Sequence, residues 1–124
     1  MSVISALFNL PIRADFCFTD GFGGQFLFRP FVLDAKPDYS RVVYAFATPE
    51  QRVLYFGRAE DLPQRLYGHE RKDEAAAFGA TELWVHQPAP NAPLNYIAAE
   101  QHLIRACAPM MNDQHNIVRA LLGY

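Results

Sequence analysis

The sequence predicts an α/β domain: a small central sheet of three strands, mostly antiparallel, flanked by helices, with a β-hairpin added at its N-terminal end. Three observations predict it. Apolar runs at 41–47, 53–57 and 82–87 have the length of strands and are too short for helices. EAAAF within 73–78 has strong helix propensity, and 94–107 carries apolar residues at spacings of three and four. Between these groups lies YFGRAEDLPQRLYGH, residues 55–69, which reads as a strand end, a turn and the start of a helix.

A chain of 124 residues, 51% hydrophobic and 14% aromatic, is one domain with enough apolar surface to exclude disorder. A formal net charge of −2 argues against a protein that coats nucleic acid non-specifically, because counterion release needs concentrated Lys and Arg. A local site is still allowed: residues 52–72 hold Arg52, Arg58, Arg65, Arg71 and Lys72 against Glu60, Asp61 and Glu70. The start, MSVISALFNLPIR, lacks a basic leader and a long apolar stretch, and no run reaches about 18 apolar residues, so a cytoplasmic protein without a membrane partner is expected. Cys17 and Cys107 show neither a disulfide framework nor zinc spacing and read as reduced core residues.

Residues 1–40 form an extension ahead of the domain at 41–124. Phe16 to Phe18 and Gln25 to Phe31 read as the two strands of a hairpin around TDGFGG. Phe16 and Phe18 share one face, as do Phe26 and Phe28, and this ladder reads as core or a dimer contact rather than a base-stacking platform. Gly21, Gly23 and Gly24 are not a phosphate loop, since no Lys-Ser or Lys-Thr and no helix follows. A second hairpin spans 41–57 around TPEQ, with Tyr44 and Tyr55 on its two strands.

Gly57 marks a backbone position where a side chain would be in the way. Asp61 is a good N-cap, Gln64 can complete a capping box, and Pro63 fits a first helical turn. Once the helix starts, Leu62 and Leu66 share one stripe and Arg65 and His69 the stripe beside it, each pair four residues apart. A second helix is expected from Asp73 to about Phe78, stopped by Gly79, then a strand from Glu82 to Gln87 with Trp84 in the core. The loop PAPNAP precedes the longest helix, Leu94 to Cys107. Its apolar stripe, Tyr96, Ile97, Leu103, Ile104 and Cys107, has Glu100 in its middle. A carboxylate there is paired, protonated or bound to metal, because a bare one costs several kcal/mol; the plain structural alternative is an ion pair with an arginine such as Arg65. Pro109 ends the helix, Asn112 suits a turn, and His115 to Leu122 reads as a short terminal helix. His86, His102 and His115 read as surface or satisfied core histidines.

Several of these residues carry a resemblance. Tyr55-x-Gly57 is followed by Leu62, Arg65 and His69 at five, eight and twelve residues after the glycine. Val42-Val43-Tyr44 stands upstream, and Glu100, Leu103-Ile104, Pro109 and Asn112 follow in order. Over residues 41–116 this pattern resembles the GIY-YIG nuclease domain, with VVY in place of the first motif's GIY. The resemblance implies a GIY-YIG-like fold and a metal-dependent endonuclease that hydrolyses DNA phosphodiester bonds by a one-metal mechanism. It implies Tyr44 as base with Tyr55 assisting, Arg65 on the phosphate, His69 as a proton shuttle or phosphate ligand, and Glu100 as the ligand of Mg2+ or Mn2+. Gly57 and Asn112 are structural in that scheme, and Arg58, next to Gly57, would touch the phosphate backbone. The residue types suit the chemistry: a hard cation takes oxygen ligands and keeps waters, a guanidinium fork matches two phosphate oxygens, and a phenol needs a nearby cation to act as a base at neutral pH. The alternative is a non-catalytic binding or regulatory protein that keeps the nuclease fold. A homodimer and an inhibitory or targeting protein partner are both left open.

Overall fold

A computed structural model describes residues 8–112. The first seven residues and the helix expected at His115 to Leu122 lie outside the described residues. Five strands, β1 (Phe16–Thr19), β2 (Gln25–Val32), β3 (Ser40–Ala47), β4 (Val53–Asp61) and β5 (Glu82–His86), form one antiparallel sheet in the order β1-β2-β5-β3-β4. Three α-helices accompany it among the described residues: α1 (Leu62–Leu66), α2 (Glu70–Ala77) and α3 (Tyr96–Cys107). The three-stranded sheet expected from the sequence is therefore corrected to five strands, and the N-terminal hairpin belongs to the sheet rather than being added to it. The reason lies in β2. Its first half pairs with β1, Phe16 opposite Phe28, and its second half pairs with β5, Arg29 opposite Val85. Pro30 fits in this strand because its backbone faces away from β5, where β1 has already ended and the N–H of Ile12 bonds its carbonyl at 3.0 Å.

The local differences have equally plain causes. β4 runs past Gly57 because the ladder with β3 continues through Val42–Ala59 to Ser40–Asp61. Asp61 caps α1, its carboxylate accepting the N–H of Gln64. The helix then stops: Tyr67 is extended and Gly68 adopts φ 67°. His69 is consequently the N-cap of α2 and shares no helix stripe with Arg65. α2 begins at Glu70, ahead of the expected Asp73, because that imidazole satisfies the N–H of Arg71. Asn95 starts α3, accepting the N–H of Ala98 at 2.9 Å, and Ala108 ends it in the left-handed region.

Side chains alternate along β3, so the sheet has two filled faces. One gathers Val42, Tyr44, Phe46 and Leu83 under Leu62, Leu66 and Ala75. The other gathers Phe28, Val43, Ala45, Phe56 and Trp84 under Ala99 and Leu103 of α3. Phe16 and Phe18 join the second face, the Phe16 ring lying 4.7 Å edge-on to Trp84. With those two turned inward, Cys17 between them is exposed, and Cys107 is half-buried; both are free thiols, and Cys17 is not the core residue expected. No helix among the described residues is long and apolar enough to cross a membrane.

Candidate active site

Tyr44 and Gly57 are direct partners across β3 and β4. A Cβ on Gly57 would lie 2.4 Å from Cζ of Tyr44 and 2.5 Å from its hydroxyl oxygen, so the phenol rests on a bare backbone that only glycine supplies. Two residues before Gly57, Tyr55 points to the same face, and its ring stacks on Phe46 at 5.6 Å and stands 6.2 Å from Tyr44. This is the physical content of the Tyr-x-Gly spacing.

His69 closes the group. Its Nε2 lies 2.7 Å from the Tyr44 hydroxyl, and its Nδ1 accepts the backbone N–H of Arg71 at 3.1 Å. An Nδ1 that accepts leaves the proton of a neutral ring on Nε2, so the imidazole donates to the Tyr44 oxygen. His69 is only 4% exposed. Burial first, then the charges of Arg65, Arg71 and Lys72, push its pKa down to about 4, so the ring is neutral at neutral pH. Tyr44 has no exposed surface, and burial holds its hydroxyl far above the ordinary phenol range. Tyr55 and Glu100 add to that upward push, and Arg65 opposes it. A neutral imidazole donor can stabilise a Tyr44 phenolate; it cannot be the group that removes the Tyr44 proton.

Arg65 is exposed on α1, at the rim of a cleft of about 670 Å³ that Arg58, Asp61, Gln64 and Tyr67 also line. Arg58 and Glu100 meet on the other face of the sheet, the one α3 covers, with Nη1 to Oε1 at 3.3 Å. The partner of Glu100 is thus Arg58, not Arg65. Burial raises the Glu100 carboxyl above its ordinary value although Arg58 pulls it back. Asn112 spans the edge between these groups: its carboxamide accepts the Phe56 N–H at 2.7 Å and donates to the Phe56 carbonyl at 2.8 Å. The fold therefore gathers Tyr44, Tyr55, Gly57 and His69 on one face, with Arg65 at the rim. It places Arg58 and Glu100 on the other, while Glu100 and Arg65 still act electrostatically on Tyr44.

Arg71 is a site residue that sequence reasoning did not single out. Its guanidinium lies 5.8 Å from the Tyr55 ring centroid and bonds the Met111 carbonyl and Glu74. Its only sequence signal was membership of the net positive stretch. For a metal ion, Glu100 is the oxygen donor nearest the sheet's core, Glu60 and Asp61 lie on the cleft beside Arg65, and no group of three His, Cys, Asp or Glu gathers among the described residues. One half-buried carboxylate fits a Mg2+ or Mn2+ whose other ligands are waters and phosphate oxygens, and the ion would compete with Arg58 for that carboxylate. Compared with protein families, curated proteins and solved structures, the chain matches none.

Proposed function

We propose that this chain is a metal-dependent endonuclease of the GIY-YIG type that hydrolyses DNA phosphodiester bonds. The observation that carries the reading is the 2.7 Å bond between Tyr44 and a neutral, proton-donating His69, with Arg65 acting on both. A purely structural core gains little from such a pair, since replacing both partners of a buried hydrogen bond by apolar groups of the same shape is nearly neutral. The imidazole N–H and the charge of Arg65 favour negative charge on the Tyr44 oxygen, against the burial that opposes it. On this reading Tyr44 first gives up its own proton to solvent, a loss that burial opposes and the charge of Arg65 favours; the phenolate, held by the His69 N–H, then takes the proton of the attacking water, which Tyr55 orients from its half-buried position. Arg65 holds the phosphate at the rim of the cleft, with Arg58 beside it. Glu100 would hold the Mg2+ or Mn2+, whose chemistry there would be charge stabilisation at the phosphate. On this reading the protein acts in the cytoplasm, and a homodimer is one way to cut both strands.

A second reading, a binding or regulatory module that keeps the nuclease fold, is favoured by two observations: Tyr44 has no exposed surface, and Arg58 already occupies Glu100. Nicking of supercoiled plasmid with Mg2+, with Mn2+ and with EDTA separates the two. The nuclease reading expects metal-dependent nicking that drops on the order of a hundredfold or more in Glu100→Gln and in Arg65→Ala. Cleavage left intact in both variants removes the site assignment. No cleavage, together with no Mg2+ binding that depends on Glu100, leaves the binding module.

A further inference from the structure

A second cleft, of about 370 Å³, opens between the β1–β2 turn, the end of β5, the loop before α3 and α3 itself. Phe22, Phe26, Pro93 and Leu94 give it apolar walls, and His86 and His102 are its imidazoles. Asp20 also lines it, and its buried carboxylate takes part in three hydrogen bonds within the chain. One oxygen receives the N–H groups of Phe22 at 2.7 Å and Gly24 at 2.9 Å; the other faces Nε2 of His102 at 2.6 Å. Asp20 thus shapes the turn and orients His102 rather than meeting a ligand. The turn is built for this: Gly21 and Gly23 have φ of 84° and 92°, and a Cβ on Gly24 would lie 2.2 Å from the Asp20 carboxylate. Its product is a phenylalanine, Phe22, held 79% exposed at the lip of the cleft.

The polar inventory selects the occupant. His86 Nδ1 lies 2.9 Å from the Leu27 carbonyl, which only accepts, so Nδ1 carries the hydrogen and Nε2 offers a lone pair. His102 is turned toward Asp20, donating through Nε2. No Lys or Arg lines the cleft, which leaves nothing to hold a phosphate or carboxylate. A ligand suited to these walls is flat and apolar on its faces, neutral, and carries an N–H donor on the edge that meets His86, with the Gln25 carboxamide also in the lining; the volume falls within the range of small-molecule sites.

We infer that this cleft binds a neutral planar nitrogen heterocycle of nucleobase size, its face against Phe22 and an N–H edge toward Nε2 of His86. The inference does not rest on the nuclease reading. The same chemistry comes from a free nucleoside or from an unpaired base of a bound strand, and the test separates them. Adenosine and a short deoxyadenosine oligonucleotide are titrated, each by itself, into the full chain carrying Glu100→Gln, so that cleavage cannot interfere, and the imidazole Cε1–H signals of His86 and His102 are followed by NMR. Saturable shifts of both rings are expected. Phe22→Ala, at an exposed position that leaves the fold intact, and His86→Phe are each expected to weaken binding about tenfold or more. N6,N6-dimethyladenosine, which keeps the face but loses the amino donor, is expected to bind about tenfold more weakly than adenosine. Shifts with adenosine assign the site to a free ligand; shifts with the oligonucleotide alone assign it to a strand. No shift with either, or shifts unchanged in both variants or with the dimethylated nucleoside, overturn the inference.

Discussion

The face of the sheet beneath α3 and the face beneath α1 and α2 are equally buried and chemically unlike. Under α3 the central contacts are hydrocarbon and aromatic: Phe16, Phe18, Phe28, Phe56 and Trp84 pack with ring centroids 4.7–6.3 Å apart, in stacked, tilted and edge-to-face pairs. Under α1 and α2 the same density of rings contains a phenol and an imidazole bound to one another, with three cations acting on the imidazole. An apolar face needs only shape. A polar pair at the same depth must be satisfied to the last hydrogen, because a lone survivor costs about 1–3 kcal/mol. The contrast is one of chemistry: rings and hydrocarbon close the centre of the α3 face, with the Arg58–Glu100 pair at its margin, whereas the other face buries a phenol and an imidazole bound to each other.

Trp84→Ala breaks the apolar face most severely. The residue has no exposed surface, and losses of about 3–5 kcal/mol are expected for such a truncation. Urea unfolding measures the loss, and the folded fraction should keep the His69 titration near pH 4, since the imidazole belongs to the other face. Acid tests the polar face by itself. His69 takes its proton near 6.5 when unfolded and near 4 when folded, so the unfolded chain binds more protons between those values. The stability contributed by this ring is complete above about pH 6.5 and is lost as pH falls toward about 4, a change of about 3 kcal/mol. In His69→Gln that component of the pH dependence should vanish; a slope identical to the parent's would break the comparison. Gly57→Ala drives a methyl into the Tyr44 ring and should cost about 1–3 kcal/mol. Its sharper signature is a His69 titration that moves up from about 4 as the pair is pushed apart. Arg58→Ala should have the smallest effect on stability, under about 1 kcal/mol, because the pair is partly exposed. The Glu100 carboxyl, left half-buried without its cation, should rise further, which an NMR titration of its carboxyl carbon detects.

Much of the fold was legible because it is written locally. The apolar runs containing Tyr44, Tyr55 and Trp84 are strands, and Asp61 caps a helix as its side chain suggests. What was not legible is non-local. Nothing near Arg29 announces that it will lie opposite Val85, so the five-stranded sheet could not be counted from its pieces. The site divides in the same way. The Tyr44–Gly57 approach follows from a hairpin whose two strands are adjacent in sequence. Glu100 was recognisable as a carboxylate in need of a partner, but the choice of Arg58 depends on which face of β4 each arginine occupies. Asp20 and His102 are 82 residues apart and form a 2.6 Å pair that no spacing foretells. His69 was misread for a simpler reason: one glycine, Gly68, ended a helix whose side-chain spacing had been assumed to continue.

The carboxamide of Asn112 bonds both backbone groups of Phe56 on the outer side of β4, the last strand of the sheet. It imitates one rung of a neighbouring strand. A second molecule seeking to extend the sheet there would have to displace a group tethered to the same chain, and so always at high local concentration. Among the described residues, that side chain closes one rung on the open edge of the strand that carries Tyr55 and Gly57. Exchanging it for alanine would leave the backbone N–H and carbonyl of Phe56 without these partners, and that rung open to another donor and acceptor.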